Sequence, residues 1–111
     1  MTREELLAQT DDVIIEPIDV PEWRAKLHVR TITGSQREKF EVAYVNDTTD
    51  RTEARMASFC LCDEQGVRIF KDEDIDALDR KHPGGLRRIY NAGMRLSKVS
   101  EDEIKGEVKN S

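Results

Sequence analysis

The stretch Lys26-Leu27-His28-Val29-Arg30-Thr31-Ile32-Thr33-Gly34-Ser35-Gln36-Arg37-Glu38-Lys39-Phe40 carries two structural periods back to back, and the switch between them decides the fold. Leu27 and Val29 alternate with Lys26, His28 and Arg30, the period of two that a strand with one wet face requires. Then Thr33-x-x-Gln36 and Ser35-x-x-Glu38 both have capping-box spacing, in which two side chains reciprocally satisfy backbone N–H groups at a helix start. Phe40, Ala43 and Tyr44 follow at the i, i+3, i+4 spacing of a buried helical stripe.

Upstream, Val13, Ile15, Ile18 and Val20 are β-branched, and Pro17 and Pro21 forbid helix. With Lys26–Ile32 they predict a β-hairpin over about residues 16–31, turning near Trp23–Ala25, whose prolines suit an edge strand. A lone hairpin is marginal in water, so its apolar face must rest on the helices. Thr2-x-x-Glu5 predicts a short helix over Thr2–Gln9 with little to pack against.

Downstream, Asn46-Asp47-Thr48-Thr49-Asp50 interrupts the first long helix, and Asp50 with Glu53 starts a second. Its residues Ala54, Met56, Ala57, Phe59, Cys60 and Leu61 leave little polar face, which marks the central helix. Asp63-Glu64-Gln65-Gly66 is a turn with Gly66 suited to a positive φ, and Val67–Phe70 is extended. Asp72 is placed to cap a third helix through Leu78, and Pro83 opens a fourth whose apolar side is Leu86, Ile89, Tyr90, Gly93 and Met94. Ser100-x-x-Glu103 starts a weak last helix that has only Ile104 and Val108 to bury. The expected fold is a small α+β domain, mainly helical, with four to five helices and one N-terminal β-hairpin. No repeat or linker divides it: residues 1–15 read as a flexible N-terminal segment, 16–108 as a single domain and 109–111 as a C-terminal tail.

The 111 residues carry 18 Lys and Arg against 23 Asp and Glu, a net −5, with 37% charged and 37% hydrophobic side chains. Such a chain has one thin core, and its longest apolar runs, as at Val13–Ile15 and Phe59–Cys62, fall far short of the roughly 20 residues of a membrane span. The N-terminus lacks the apolar stretch of a signal peptide, so the protein reads as cytosolic, with no membrane partner. Cys60-x-Cys62 has neither disulfide nor zinc-site spacing and reads as two buried thiols.

Catalytic signatures are missing. The two histidines, His28 and His82, fall on a wet strand face and in a Pro/Gly break, with no Ser-His-Asp or Cys-His order and no G-x-S-x-G elbow. Neither phosphate-cradling glycine motif occurs. The Asp72-Glu73-Asp74-x-Asp76 run lacks the glycine and glutamate of a calcium loop and reads instead as acids over a helix start. The chain is expected to be no enzyme and to use no metal or cofactor.

Charge is distributed unevenly. Residues 80–98 hold six bases (Arg80, Lys81, Arg87, Arg88, Arg95, Lys98) and no acid, leaving −11 on the other 92 residues. This basic face is either a solvated surface answering the acids of residues 72–79 or a dock for an acidic partner. Nucleic acid is not the expected partner, because the whole chain is negative and no aromatic stack interleaves the bases. Trp23, the sole tryptophan, either folds over the helices or serves as a binding hot spot. Val67 and Ile69 point to one side of their segment and Phe70 to the other.

The order of the pieces resembles a known family. Val20-Pro21-Glu22-Trp23 runs into Val29–Glu41; an apolar helix, Asp63-Glu64-Gln65-Gly66-x-Arg68-Ile69-Phe70 and Asp72-Glu73-Asp74-Ile75-Asp76-Ala77-Leu78 follow; a last helix ends in Arg95-Leu96-Ser97-x-Val99-Ser100. Over about residues 16–108 this is similar to the tail assembly chaperones of long-tailed bacteriophages and their prophages. The resemblance implies a small protein of the host cytoplasm that coats the aggregation-prone tape-measure protein, helps recruit tail-tube subunits and is absent from the finished tail. Many relatives are also made in a frameshifted, C-terminally extended form. It further implies self-association, since coating a long helical partner takes many copies. Trp23, Ile69, Phe70, Arg87, Arg88 and Arg95 are the expected partner-binding residues, an apolar surface flanked by the basic helix. The rival expectations are a head–tail connector or tail-completion protein that stays in the particle, and an acidic regulator of a nucleic-acid-binding protein. The latter needs one continuous acidic stripe, whereas acids alternate with bases over residues 37–55.

Overall fold

A computed structural model describes residues 1–9, 12–46 and 51–100. In chain order these form α1 (Arg3–Ala8), β1 (Ile15–Val20), a 3-10 turn (Pro21–Trp23), β2 (Ala25–Arg30), α2 (Gly34–Asn46), α3 (Thr52–Cys60), β3 (Leu61–Cys62), a second 3-10 turn (Asp72–Asp74), α4 (Ile75–Asp79) and α5 (Pro83–Ser97). The expected last helix with Ile104 and Val108, the Asp50 cap and the ends of the expected domain and tail lie outside the described residues.

Thr33 makes the switch from strand to helix. Its hydroxyl accepts from the Gln36 N–H at 3.1 Å, and its own N–H donates to Gln36 Oε1 at 2.9 Å. The hairpin pairs β1 with β2 from Ile15↔Arg30 to Val20↔Ala25. Its turn places Arg24 at φ 52°, left-handed backbone that L side chains rarely adopt, with the Arg24 N–H donating to the Pro21 carbonyl. Thr31 N–H donates to the Ile14 carbonyl, so in this register Glu16, Ile18 and Val20 turn their backbone groups to β2 and Pro17 turns outward on the edge strand.

One expectation is corrected. Leu61 does not extend the central helix: α3 ends at Cys60, and Leu61 and Cys62 pair with Val29 and His28, making a three-stranded antiparallel sheet in the order β1-β2-β3. Here the gain is physical, because the far edge of β2 would otherwise bury unpaired backbone groups. The Asp63–Gly66 turn follows, with Gly66 at φ 84° and Arg68 bridging back to Cys62.

The core lies where α3 is enclosed by the sheet, α2, α4 and α5. Val29, Phe40, Met56, Phe59, Leu61, Leu78 and Ile89 are all buried in it. Gly93 lets α3 and α5 approach closely: a Cβ there would stand 2.9 Å from Cys60 Sγ and 3.0 Å from Met56. The end of α5 is tied to the strand–helix switch, since Ile32 N–H donates to Ser97 Oγ at 3.1 Å. Both cysteines are buried and unbridged, as expected.

Candidate docking surface

Pro83 opens α5 because its fixed φ suits the first helical turn, and His82 caps it, Nδ1 accepting from the Gly84 N–H at 3.0 Å. Arg88 and Arg95 are seven residues apart, two turns along one line of the helix, and that line runs beside the hairpin. Arg88 Nε donates to both carboxylate oxygens of Glu22, at 2.8 and 3.1 Å, and Arg95 donates to Glu16 at 2.8 Å. These bonds hold the Glu22 and Glu16 carboxyls below the usual carboxylate range. Arg87, a third of a turn round, forms an ion pair with Glu53 of α3 at 2.6 Å, too bent to be a hydrogen bond, and lies over the Tyr90 ring.

The basic face therefore answers acids on the hairpin and α3, where the acids of residues 72–79 were one expectation. Those acids have partners elsewhere: Asp72 takes Arg68 at 2.8 Å and Lys39 at 3.3 Å, and Asp76 takes Arg51. Asp72 is thus not the helix cap that the sequence suggested. Lys71 stands at the N-cap position, and Asp74, three residues on, reaches back so that its carboxylate accepts from the Lys71 N–H at 2.7 Å.

Of the expected binding residues, Trp23 and Arg88 share the hairpin tip. Trp23 is half-buried against Gly85, donates from Nε1 to the His82 carbonyl at 3.2 Å, and has Lys81 Nζ 4.8 Å from its ring centre. Arg95 stands farther down α5. Ile69 and Phe70 belong to a separate region after β3, where Phe70 packs on the core and Ile69 is exposed. Arg68 fixes that segment: its guanidinium donates to the Ser58 carbonyl at 2.7 Å, holds Asp72 and lies over the Phe59 ring. With Arg68 turned inward, Val67 and Ile69 face solvent on one side, 61% and 47% exposed. Gly66 brings Ile15 alongside, since a Cβ there would meet Ile15 Cδ1 at 2.7 Å. Val67 and Ile69 thus make a small exposed apolar patch, and Ile15 lies against Gly66, the residue before Val67 in sequence.

A second apolar feature went unread in the sequence. Outward from Phe40 and Tyr44, α2 exposes Val42 and Val45, and a groove of about 530 Å³ runs past Glu38, Lys39, Val42, Ala43 and Asn46. The signal was present as Val42 and Val45, three apart on α2 and outside the Phe40, Ala43 and Tyr44 stripe. Among the described residues no His, Cys, Asp or Glu cluster could hold a metal ion, and no helix is long and apolar enough to cross a membrane.

The chain has the fold of the bacteriophage HK97 tail assembly chaperone, with a TM-score of 0.59 over 89% of this chain and 92% of that one, at 16% identity. No family model matches the sequence, and no curated protein matches it.

Proposed function

We propose that this protein is a phage or prophage tail assembly chaperone, which binds the tape-measure protein and helps recruit tail-tube subunits in the host cytoplasm without entering the finished tail. The observation that carries this reading is the fold shared with the HK97 tail assembly chaperone over nearly the whole of both chains. The surface supports it. The exposed Val67 and Ile69 offer apolar contact to a partner helix, and the exposed parts of Arg87, Arg88 and Arg95 offer charge. Net acidity keeps such an assembly in solution. The work is binding, with no bond made or broken and no cofactor engaged.

Co-expression with the tape-measure protein of the same gene cluster tests the reading. The pair is expected to co-purify, with the tape-measure protein moved into the soluble fraction, and Ile69→Glu is expected to weaken the complex. A tape-measure protein that stays insoluble and unbound sinks the proposal. Mass spectrometry of purified particles should find this chain missing; its presence there would make it a structural component.

A further inference from the structure

We propose that the segment following α5, residues 101–108, lies along the outer face of α2 in the same chain and seats Ile104 and Val108 in the groove beside Val42. This does not rest on the tape-measure reading, because both parts belong to one molecule.

The outer face of α2 is apolar and has no cover among the described residues. Val42 is 61% and Val45 47% exposed. The groove past Glu38, Lys39, Val42, Ala43 and Asn46, of about 530 Å³, falls within the range of about 300–1,000 Å³ usual for binding sites. The sequence beyond Ser100 has the opposite need. Ser100-x-x-Glu103 has the spacing of a helix start, and Ile104 and Val108, four apart, share one helical face. A helix that short does not persist in water without an apolar surface to lie on.

Position joins the two. Ile32 N–H donates to Ser97 Oγ at 3.1 Å and Thr31 Oγ1 lies 3.5 Å from the Leu96 carbonyl oxygen, so α5 finishes beside the residues that lead into α2. Lys98, at φ 54°, turns the chain out of α5, and Val99 stays buried, its N–H donating to the Met94 carbonyl at 3.0 Å. The segment therefore sets out from the end of the molecule where α2 begins. A helix from Ser100 to Val108 rises about 12 Å, as α2 does from Gly34 to Val42. Running alongside, it brings Val108 level with Val42 and Ile104 level with Glu38, one turn before.

Charge runs in the same order. Glu101, Asp102 and Glu103 come first, level with the opening turns of α2, where the unpaired backbone N–H groups and Arg37 favour acids. Lys105 then falls between the levels of Glu38 and Glu41, with Lys109 just beyond. Lys39, at that level too, is turned to Asp72. Such matching fixes direction and register more than it adds affinity.

Disulfide trapping in the full chain tests this, since both native thiols are buried. Val42→Cys paired with Val108→Cys is expected to close within one chain under mild oxidation. It should do so several-fold faster than Val42→Cys paired with Lys109→Cys, which has equal reach but is turned off that face. Equal rates would mean that the segment does not rest on α2, and a link between two chains would make the occupant a second copy; either overturns the proposal. Hydrogen exchange gives a readout without added cysteines. In Ile104→Ser with Val108→Ser, the α2 amides should exchange several-fold faster than in the wild type, while those of α3, inside the core, hold their rates. Unchanged α2 exchange, or a gain shared equally by α3, overturns the proposal.

Discussion

Arg88 of α5 reaches Glu22 in the hairpin turn, Nε lying 2.8 and 3.1 Å from the two carboxylate oxygens across 66 positions of sequence. With Arg95 on Glu16 it clamps the hairpin along the last helix. A run of bases that looks, in one dimension, like a site for an outside anion is largely an internal fastening.

That clamp sets an acid limit. Arg95 and Arg88 hydrogen-bond the Glu16 and Glu22 carboxylates and depress them, and Arg68 does the same to Asp72. A carboxyl depressed by folding contributes stability that is fully present above its unfolded value, about 4.3 for Glu and 3.9 for Asp, and lost as pH falls through the lower folded value. Thermal melts should therefore change little on this account between pH 7 and about pH 5 and fall away below about pH 4. Glu16→Gln with Glu22→Gln should flatten that acid limb; an identical limb in the double variant would show that these pairs do not set it.

Gly93→Ala should destabilise the protein. Its Cβ would enter within 3.0 Å of Met56 and Cys60, and overpacking of this kind costs about 1–3 kcal/mol, against a helix-propensity gain of about 1 kcal/mol. Gly34→Ala at the start of α2 meets nothing within 4 Å and is the control, expected to hold or raise the melting temperature. Equal melting temperatures for the two variants would contradict the close α3–α5 contact.

Gly85→Ala should displace the tryptophan. The new Cβ would fall 2.3 Å from Trp23 Nε1, so the ring must leave Gly85 and release the His82 carbonyl. Trp23 is the sole tryptophan, so its emission reports the change directly and should shift to the red. Unchanged emission would mean the indole does not rest there.

The thiols should be inert in the folded protein. Burial pushes Cys60 up to about 12, with an added push from Cys62, whose own thiol is also raised by burial. Because the thiolate is the reactive form, iodoacetamide at pH 8 should modify neither cysteine quickly until denaturant is added, when both should react. Rapid labelling of Cys60 in the native state would place it outside the core.

Local signals carried much of this fold. The capping box at Thr33, the proline at the start of α5, the positive φ of Gly66 and the apolar stripes of α3 and α5 all act over three to seven residues, and each was legible. β3 was not, because Leu61 and Cys62 continue the apolar run of α3 and only their pairing with β2 makes them a strand. The partners of Arg88 and Arg95 were hidden for a related reason: Glu22 and Glu16 lie 66 and 79 positions away, beyond any spacing rule. The α2 groove was less legible because Phe40, Ala43 and Tyr44 complete the helix's inner stripe, and Val42 and Val45 outside it are isolated among polar residues.

Pro17 has a consequence for how this molecule meets copies of itself. It sits midway along the outermost strand with its ring where a neighbouring strand would need a donor, so that edge lacks one rung of any ladder built upon it. An open strand edge is a template on which further copies could zip into fibrils, and one imino acid at this spot guards against that fate.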